Sequence, residues 1–251
     1  MMAVQTKEYL YNLERERILH DSRDPHGRSS RLSDVILGGQ DGLVNVLGIV
    51  LGVAVAYSDP RVILTAGLAA AFAESVSMGA VAYTASLADA DFYESEYDRE
   101  HRHIQRYPNQ EKEEVRDIYR QKGFEGDLLD QIVETITADR EVWVRVMLAE
   151  EHRIMPVDRR GAKKTAAIVG FSALFGSILP LLPFLFVPVV PGMILALLVS
   201  ALTLFGVGVY KARVTTVGRP ARSGLEMAFI GVLSALVGYA IGLLFRFVPG
   251  G

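Results

Sequence analysis

Two acidic residues lie within stretches of the chain that are otherwise apolar. Asp41 falls about a third of the way into the first stretch and Glu74 near the middle of the second. Charged side chains near the centre of a bilayer cost a few kcal/mol or more, so they commonly serve a function. Asn45 and Met78 each follow one of these acids by four residues, which places them one helical turn along on the same face. Two helices could therefore present all four side chains to one cavity.

The donor atoms of this cavity predict a transport pathway for a transition metal. Two carboxylates, an amide and a thioether form a mixed hard and soft set, which suits a borderline ion such as Fe²⁺ better than Ca²⁺ or Mg²⁺. The alternative is that Asp41 and Glu74 only bond to polar groups of a helical bundle and that Met78 only fills space in it.

A second group of candidate ligands lies in a polar segment, residues 89–154. This segment holds 18 of the 29 acidic residues but only 10 of the 26 basic ones, a local net charge of −8. Acids, histidine and methionine recur in it at one-turn spacing, and such pairs can chelate a cation between helices. The alternative is a merely solvated surface. The candidate metal ligands are Glu100, His103, Glu111, Glu114, Met147, Glu150 and Glu151.

One of these pairs is also an element of di-iron proteins. Glu100 and His103 form Glu-x-x-His, which ferritin-like bundles use in two copies. The second copy is missing, because Glu114 stands where a histidine is needed and His152 has Ala149 three residues before it. A ferroxidase is therefore disfavoured, and the chain is predicted not to be an enzyme.

These residues must be positioned by helices that cross a membrane. Five segments are long and apolar enough to span about 30 Å of hydrocarbon: residues 35–57, 62–88, 165–187, 189–210 and 224–245. Basic residues cluster before the first segment, before the third, and between the fourth and fifth. Because lysine and arginine favour the cytoplasmic side, the N-terminus and residues 89–164 are predicted to be cytoplasmic and the C-terminus to lie on the far side.

The second span is predicted to continue as a helix into the acidic segment, followed by helices over residues 110–122 and 127–152. The predicted fold is an all-α integral membrane protein with five transmembrane helices and a three-helix cytoplasmic metal-binding domain between spans two and three. Its parts are a cytoplasmic N-terminal segment (1–34), spans one and two (35–88), the metal-binding domain (89–164) and spans three to five (165–251). An amphipathic surface helix could form in the first part, from Tyr9, Leu10, Leu13 and Leu19.

Composition excludes several classes of protein. The absence of cysteine excludes disulfide scaffolds, thiolate zinc sites, iron–sulfur clusters and cysteine nucleophiles. A net charge of −3 gives no reason to expect binding to nucleic acid. The first thirty residues are polar, so no cleavable signal peptide is predicted.

In four stretches, taken in order, the sequence resembles the vacuolar iron transporter family. The stretches are residues 39–44 (GQDGLV), residues 74–79 (ESVSMG), the region from Glu111 to Gly123 with its continuation over residues 143–154, and residues 211–213 with 222–227. Together they cover nearly everything after residue 30.

This resemblance implies a homodimer of five-helix subunits without a permanently bound cofactor. Such a protein exports Fe²⁺ and other divalent ions, with Mn²⁺, Co²⁺ and Zn²⁺ as candidates, from the cytoplasm in exchange for protons, across a vacuolar or plasma membrane. The family's transmembrane aspartate and methionine fall on Asp41 and Met78. The sequence departs from the family at His103, where relatives more often carry glutamate, and at Leu148, where a second methionine is common. The family's cytoplasmic ligands fall on Glu100, Glu111, Glu114, Met147 and Glu151.

A mechanism follows from this chemistry. The acidic segment would raise the local concentration of cations and pass metal to Asp41, Glu74 and Met78. Protons and metal compete for the same carboxylate oxygens, so protonation from the far side would release the metal. The alternatives are a transporter of the same type that prefers Mn²⁺, a membrane-anchored ferroxidase, and a metal-binding membrane protein without transport.

Overall fold

The computed structural model describes residues 28–214 and 219–246, which form helices joined by short connections and include no β-strand. The amphipathic helix predicted near the N-terminus lies outside these residues. Eight α-helices are described: α1 Arg28–Ala56, α2 Pro60–Arg106, α3 Pro108–Gln121, α4 Gly126–Ala138, α5 Arg140–Glu150, α6 Ala162–Ile178, α7 Val189–Val214 and α8 Pro220–Arg246.

Five helical stretches are long and apolar enough to cross a membrane. They are Leu32–Ala56, Pro60–Arg106, Arg159–Leu185, Val189–Val214 and Pro220–Arg246. The predicted number and order of spans is therefore confirmed, and the protein is a multi-pass membrane protein.

The third of these stretches is not a regular α-helix throughout. Helix α6 ends at Ile178, and the chain continues as a 3-10 helix over Leu179–Leu185. Pro180 and Pro183 lie in this continuation and lack the N–H group that an α-helix needs at those positions. These two prolines therefore account for the tighter helix at the end of span three.

The described residues divide into two compact units. The apolar unit consists of the described parts of residues 1–80 and 165–251, and the acidic unit is Val81–Lys164. The boundary falls within α2, which contributes residues to both.

Helix α1 lies at the centre of the apolar unit. Its Val46 and Val50 are fully buried. Farther along the chain, Gly52 packs against Gly242 of α8, where a Cβ atom on Gly242 would come within 2.1 Å of the carbonyl oxygen of Gly52. Such close approach of two backbones is what Gly-x-x-x-Gly spacing permits in a membrane. Gly48 with Gly52, and Gly238 with Gly242, have this spacing and are used for packing within the subunit.

The acidic unit has its own apolar core, to which α2, α3, α4 and α5 all contribute. The buried residues of this core are Ile104, Val115, Leu129, Val133, Ile136, Trp143, Val144, Met147 and Leu148.

The prediction of a single helix over residues 127–152 is wrong. Two helices, α4 and α5, meet at Asp139, whose backbone is extended. The Asp139 carboxylate accepts hydrogen bonds from the backbone N–H groups of Glu141 at 2.8 Å and Val142 at 3.2 Å. It thereby caps a new helix N-terminus, and the break lets α5 change direction and return its apolar face to the core.

Candidate transport cavity and metal centre

Asp41 and Glu74 come together because α1 and α2 are consecutive and joined by a short link. Asp41 lies about 15 residues before the end of α1 and Glu74 about 14 after the start of α2. At about 1.5 Å per residue, both side chains stand about 22 Å from the link. The two acids therefore lie at matching heights on neighbouring helices.

The four residues of the predicted pathway line one open cavity of about 550 Å³. Within it, the Asn45 side-chain amide donates a hydrogen bond to Oε1 of Glu74 at 2.5 Å. Asn45 is exposed, and the other three side chains are half-buried. The structure thus brings them to one place, and their role in transport stays a prediction. The cavity is lined by Asp41, Asn45, Ile49, Ala70, Ala73, Glu74, Ser77 and Met78.

A tight turn between α2 and α3 assembles the second group of candidate ligands. Only Tyr107 separates the two helices, and its backbone leaves the helical region with φ −133° and ψ 50°. The cause is Pro108, which begins α3, lacks an N–H group and disfavours helical backbone in the residue before it. The chain reverses there, so Glu111 near the start of α3 returns to Glu100 near the end of α2.

Three carboxylates converge in the acidic unit. One oxygen each of Glu100, Glu111 and Glu151 lies within 4.8 Å of the others. Glu100 is only 1% exposed and Glu111 only 4%. Buried Oε1 of Glu100 and Oε2 of Glu111 find no hydrogen-bond partner in the described part of the chain. Because such unpaired buried oxygens cost free energy, the arrangement favours binding of a cation.

Burial also changes the acidity of this cluster. Burial, followed by the negative charges of Glu100 and Glu114, raises the pKa of Glu111 to about 8. Burial likewise raises the pKa of Glu151, although nearby His152 acts in the opposite direction. Without metal, Glu111 therefore holds a proton at neutral pH, and a bound cation would displace it.

Two histidines adjoin the three carboxylates. His103 was predicted, and its Nδ1 lies 3.7 Å from Oε1 of Glu111. His152 was not predicted as a ligand, yet its Nε2 lies 3.4 Å from Oε2 of Glu100 and 3.9 Å from Oε2 of Glu151. Helical spacing gives no signal for His152, because the residues four and three positions before it are Leu148 and Ala149. Its position next to the predicted ligand Glu151 was the only available hint.

The remaining predicted ligands are placed differently. Glu114 adjoins Glu111 and accepts a hydrogen bond from the Gln110 amide at 3.2 Å. Met147 is fully buried in the apolar core. Glu150 instead forms an ion pair, with its Oε2 2.5 Å from Nζ of Lys122.

Comparison with known proteins gives a consistent result. A profile of the VIT family matches residues 32–243. Vacuolar iron transporter 2 of Oryza sativa subsp. japonica is 30% identical over 238 residues, covering 94% of this chain and 96% of the relative. Vacuolar iron transporter 1 of Arabidopsis thaliana is 27% identical, covering 91% of this chain and 92% of the relative. Vacuolar iron transporter of Plasmodium falciparum is 29% identical, covering 89% and 87%.

These relatives extend over nearly the same length as this chain. All three are named as transporters, in agreement with the prediction that the chain is not an enzyme. The profile match covers the first four predicted spans, the acidic unit and all but the last residues of the fifth span. It confirms the resemblance predicted from the sequence: the chain belongs to the VIT family.

Proposed function

We propose that this protein moves Fe²⁺ out of the cytoplasm across a membrane in exchange for protons. The observation that carries the proposal is the cavity of Asp41, Asn45, Glu74 and Met78, which lies between two helices able to cross a membrane. Support also comes from relatives that are named vacuolar iron transporters.

Exchange with protons follows from the ligands of this cavity. Asp41 and Glu74 can each carry a proton or share in binding a cation, but not both at once. A metal arriving from the cytoplasm displaces protons, and protonation from the acidic far side releases the metal. Met78 adds a polarizable sulfur, which contributes more to Fe²⁺ binding than to binding of a harder ion.

The acidic unit supplies metal to this pathway in the proposed cycle. We place it in the cytoplasm together with the N-terminus, because the basic residues of three separate regions favour that side. Single cysteines can be introduced freely into this cysteine-free chain. Labelling of cysteines near Gln110 and near Gly250 from the same side of intact vesicles would contradict this orientation.

A second copy of the chain completes the cavity in this proposal. The cavity is open, and two carboxylates and an exposed amide along its wall would otherwise face hydrocarbon. Polar groups facing lipid are costly, so a homodimer that closes the open side would remove that cost. Light scattering of the detergent-solubilised protein tests this dimer, and a monomer at all concentrations would contradict it.

The decisive experiment is metal flux into proteoliposomes with an acidic lumen. We expect Fe²⁺ uptake that collapses when the pH gradient is removed, and flux at background in Asp41→Asn. Asparagine keeps the shape of the side chain but can hold neither the charge nor the proton. Asp59→Asn is the matched control, because Asp59 lies outside the cavity and caps α2 through a hydrogen bond from the N–H of Arg61 at 2.8 Å, which asparagine can also accept.

Other results of these experiments would support one of the alternative functions. Faster flux of Mn²⁺ than Fe²⁺ would identify a manganese-preferring transporter. Oxygen consumption on addition of Fe²⁺ would identify a ferroxidase. Metal binding without flux, or wild-type flux in Asp41→Asn, would refute the pathway proposed for α1 and α2.

A further inference from the structure

His152 lies at the edge of the carboxylate cluster in a fixed position. It directly follows the C-cap residue of α5, and Arg153 after it adopts a left-handed backbone with φ 57°. Two hydrogen bonds hold this turn: the His152 N–H donates to the Met147 carbonyl at 3.2 Å, and the Ile154 N–H donates to the Leu148 carbonyl at 2.8 Å. The backbone that carries the imidazole is therefore held in place by hydrogen bonds.

The distance from His152 to Glu100 matches the distance between two ligands of one metal ion. Two donor atoms about 2.1 Å from an ion lie about 3.0 Å apart at a right angle and about 3.4 Å apart at the tetrahedral angle. Nε2 of His152 lies 3.4 Å from Oε2 of Glu100 and 3.9 Å from Oε2 of Glu151. The distance to Glu100 thus fits shared coordination as it stands, and the distance to Glu151 is longer than the tetrahedral value.

The cluster also contains carboxylate oxygens that are available to bind an ion. Glu100 and Glu111 each bury one carboxylate oxygen that has no hydrogen-bond partner among the described residues, and both side chains are more than nine-tenths buried. A fourth carboxylate would add negative charge to a site that already holds three. Imidazole adds a donor atom in its neutral form.

We propose that His152 is a ligand in the metal site formed by Glu100, Glu111 and Glu151, and that it biases this site toward ions that favour nitrogen. Carboxylates alone suit Mn²⁺, whereas imidazole strengthens binding of Fe²⁺, Co²⁺ and Zn²⁺. This inference rests on the proposed metal-binding role of the acidic unit and adds to it a determinant of ion preference.

The test compares Co²⁺ and Mn²⁺ binding by the purified full-length protein. In His152→Asn, we expect Co²⁺ affinity to fall about tenfold or more, as loss of a ligand commonly causes, and Mn²⁺ affinity to fall less than about threefold. His101→Asn is the matched control. His101 Nε2 lies 3.4 Å from Oε1 of Glu141 instead of facing the cluster, so both affinities should stay unchanged in that variant.

Pulsed electron paramagnetic resonance of bound Mn²⁺ identifies the nitrogen directly. In a His103→Glu background, the spectrum should retain coupling to a ring nitrogen, and adding His152→Asn should remove it. Retained coupling in the double variant, or equal losses of Co²⁺ and Mn²⁺ affinity in His152→Asn, would overturn the proposal. Trp143 is the only tryptophan of the chain and lies in the core of the acidic unit, so its fluorescence checks that each variant remains folded.

Failure of this inference can be separated from failure of the metal site itself. If Glu111→Gln abolishes Co²⁺ binding but His152→Asn leaves it unchanged, the carboxylate site stands and the role of His152 is refuted. If the wild-type protein binds neither ion, both proposals fail.

Discussion

Replacing Glu111 with glutamine removes the carboxyl whose acidity burial changes most clearly, and the consequence for metal binding can be calculated. The pKa of Glu111 is raised to about 8. A carboxyl with that pKa is about 90% protonated at pH 7 and half protonated at pH 8. Metal binding through Glu111 should therefore release about 0.9 proton at pH 7 and about 0.5 at pH 8.

The same competition sets the pH dependence of affinity. Protonation of Glu111 weakens the apparent affinity about 100-fold at pH 6, about 11-fold at pH 7 and about twofold at pH 8. This one group should thus strengthen binding about 50-fold between pH 6 and pH 8. The raised pKa also has a consequence for stability. Because 8 exceeds the ordinary 4.5 of glutamate, the contribution of Glu111 to stability is complete below about pH 4.5 and is lost as the pH rises through about 8.

Isothermal titration calorimetry in buffers of different ionisation enthalpy measures the released protons. Glu111→Gln should release fewer protons than wild type, because it lacks the carboxyl that holds one. Glu113→Gln is the control, because Glu113 lies on the same helix but its side chain is 66% exposed and pairs with Arg116. Equal proton release from wild type and Glu111→Gln at pH 7 would refute both the raised pKa and the role of Glu111 as a ligand.

Two further predictions concern the apolar unit. Met78→Leu keeps the volume of the side chain and removes only the sulfur, so Fe²⁺ flux into proteoliposomes should fall more than Mn²⁺ flux. Equal losses of the two fluxes would show that the Met78 sulfur does not bind the transported ion. Gly238→Ala should destabilise the protein by about 1–3 kcal/mol, because its Cβ would lie 2.2 Å from the carbonyl oxygen of Gly48. Thermal unfolding in detergent measures this, with Gly206→Ala as the control, since a Cβ on Gly206 meets no atom within 4 Å and should be neutral or stabilising. A Gly238→Ala protein as stable as wild type would contradict the close packing of α1 against α8.

The structural features that were predicted best from the sequence depend on regular spacing along single helices. Asp41 with Asn45, and Glu74 with Met78, could be paired because four residues make about one turn and a short link sets both helices at matching heights. The five spans were equally accessible, since length and apolar composition determine them.

Other features depend on where helices end and on contacts that spacing does not encode. Asp139 breaks the predicted third helix without a glycine or proline, and its capping preference was the only local signal. Glu150 pairs with Lys122, the C-cap residue of α3, a contact that spacing along the chain does not predict. His152 was considered only as a partner in a Glu-x-x-His pair, and Ala149 three residues before it excluded it from that pattern.

The packing of α1 against α8 has a consequence for biosynthesis. Gly48 and its contact Gly238 are about 190 residues apart, which corresponds to roughly 10–40 s of translation at 5–20 residues per second. The Gly48 face of α1 therefore stays without its α8 partner while the acidic unit and three more membrane helices are made. Any factor that shields nascent helices in the membrane would act on α1 during this interval, and chains truncated before α8 should be removed by quality control even though their first two spans are complete.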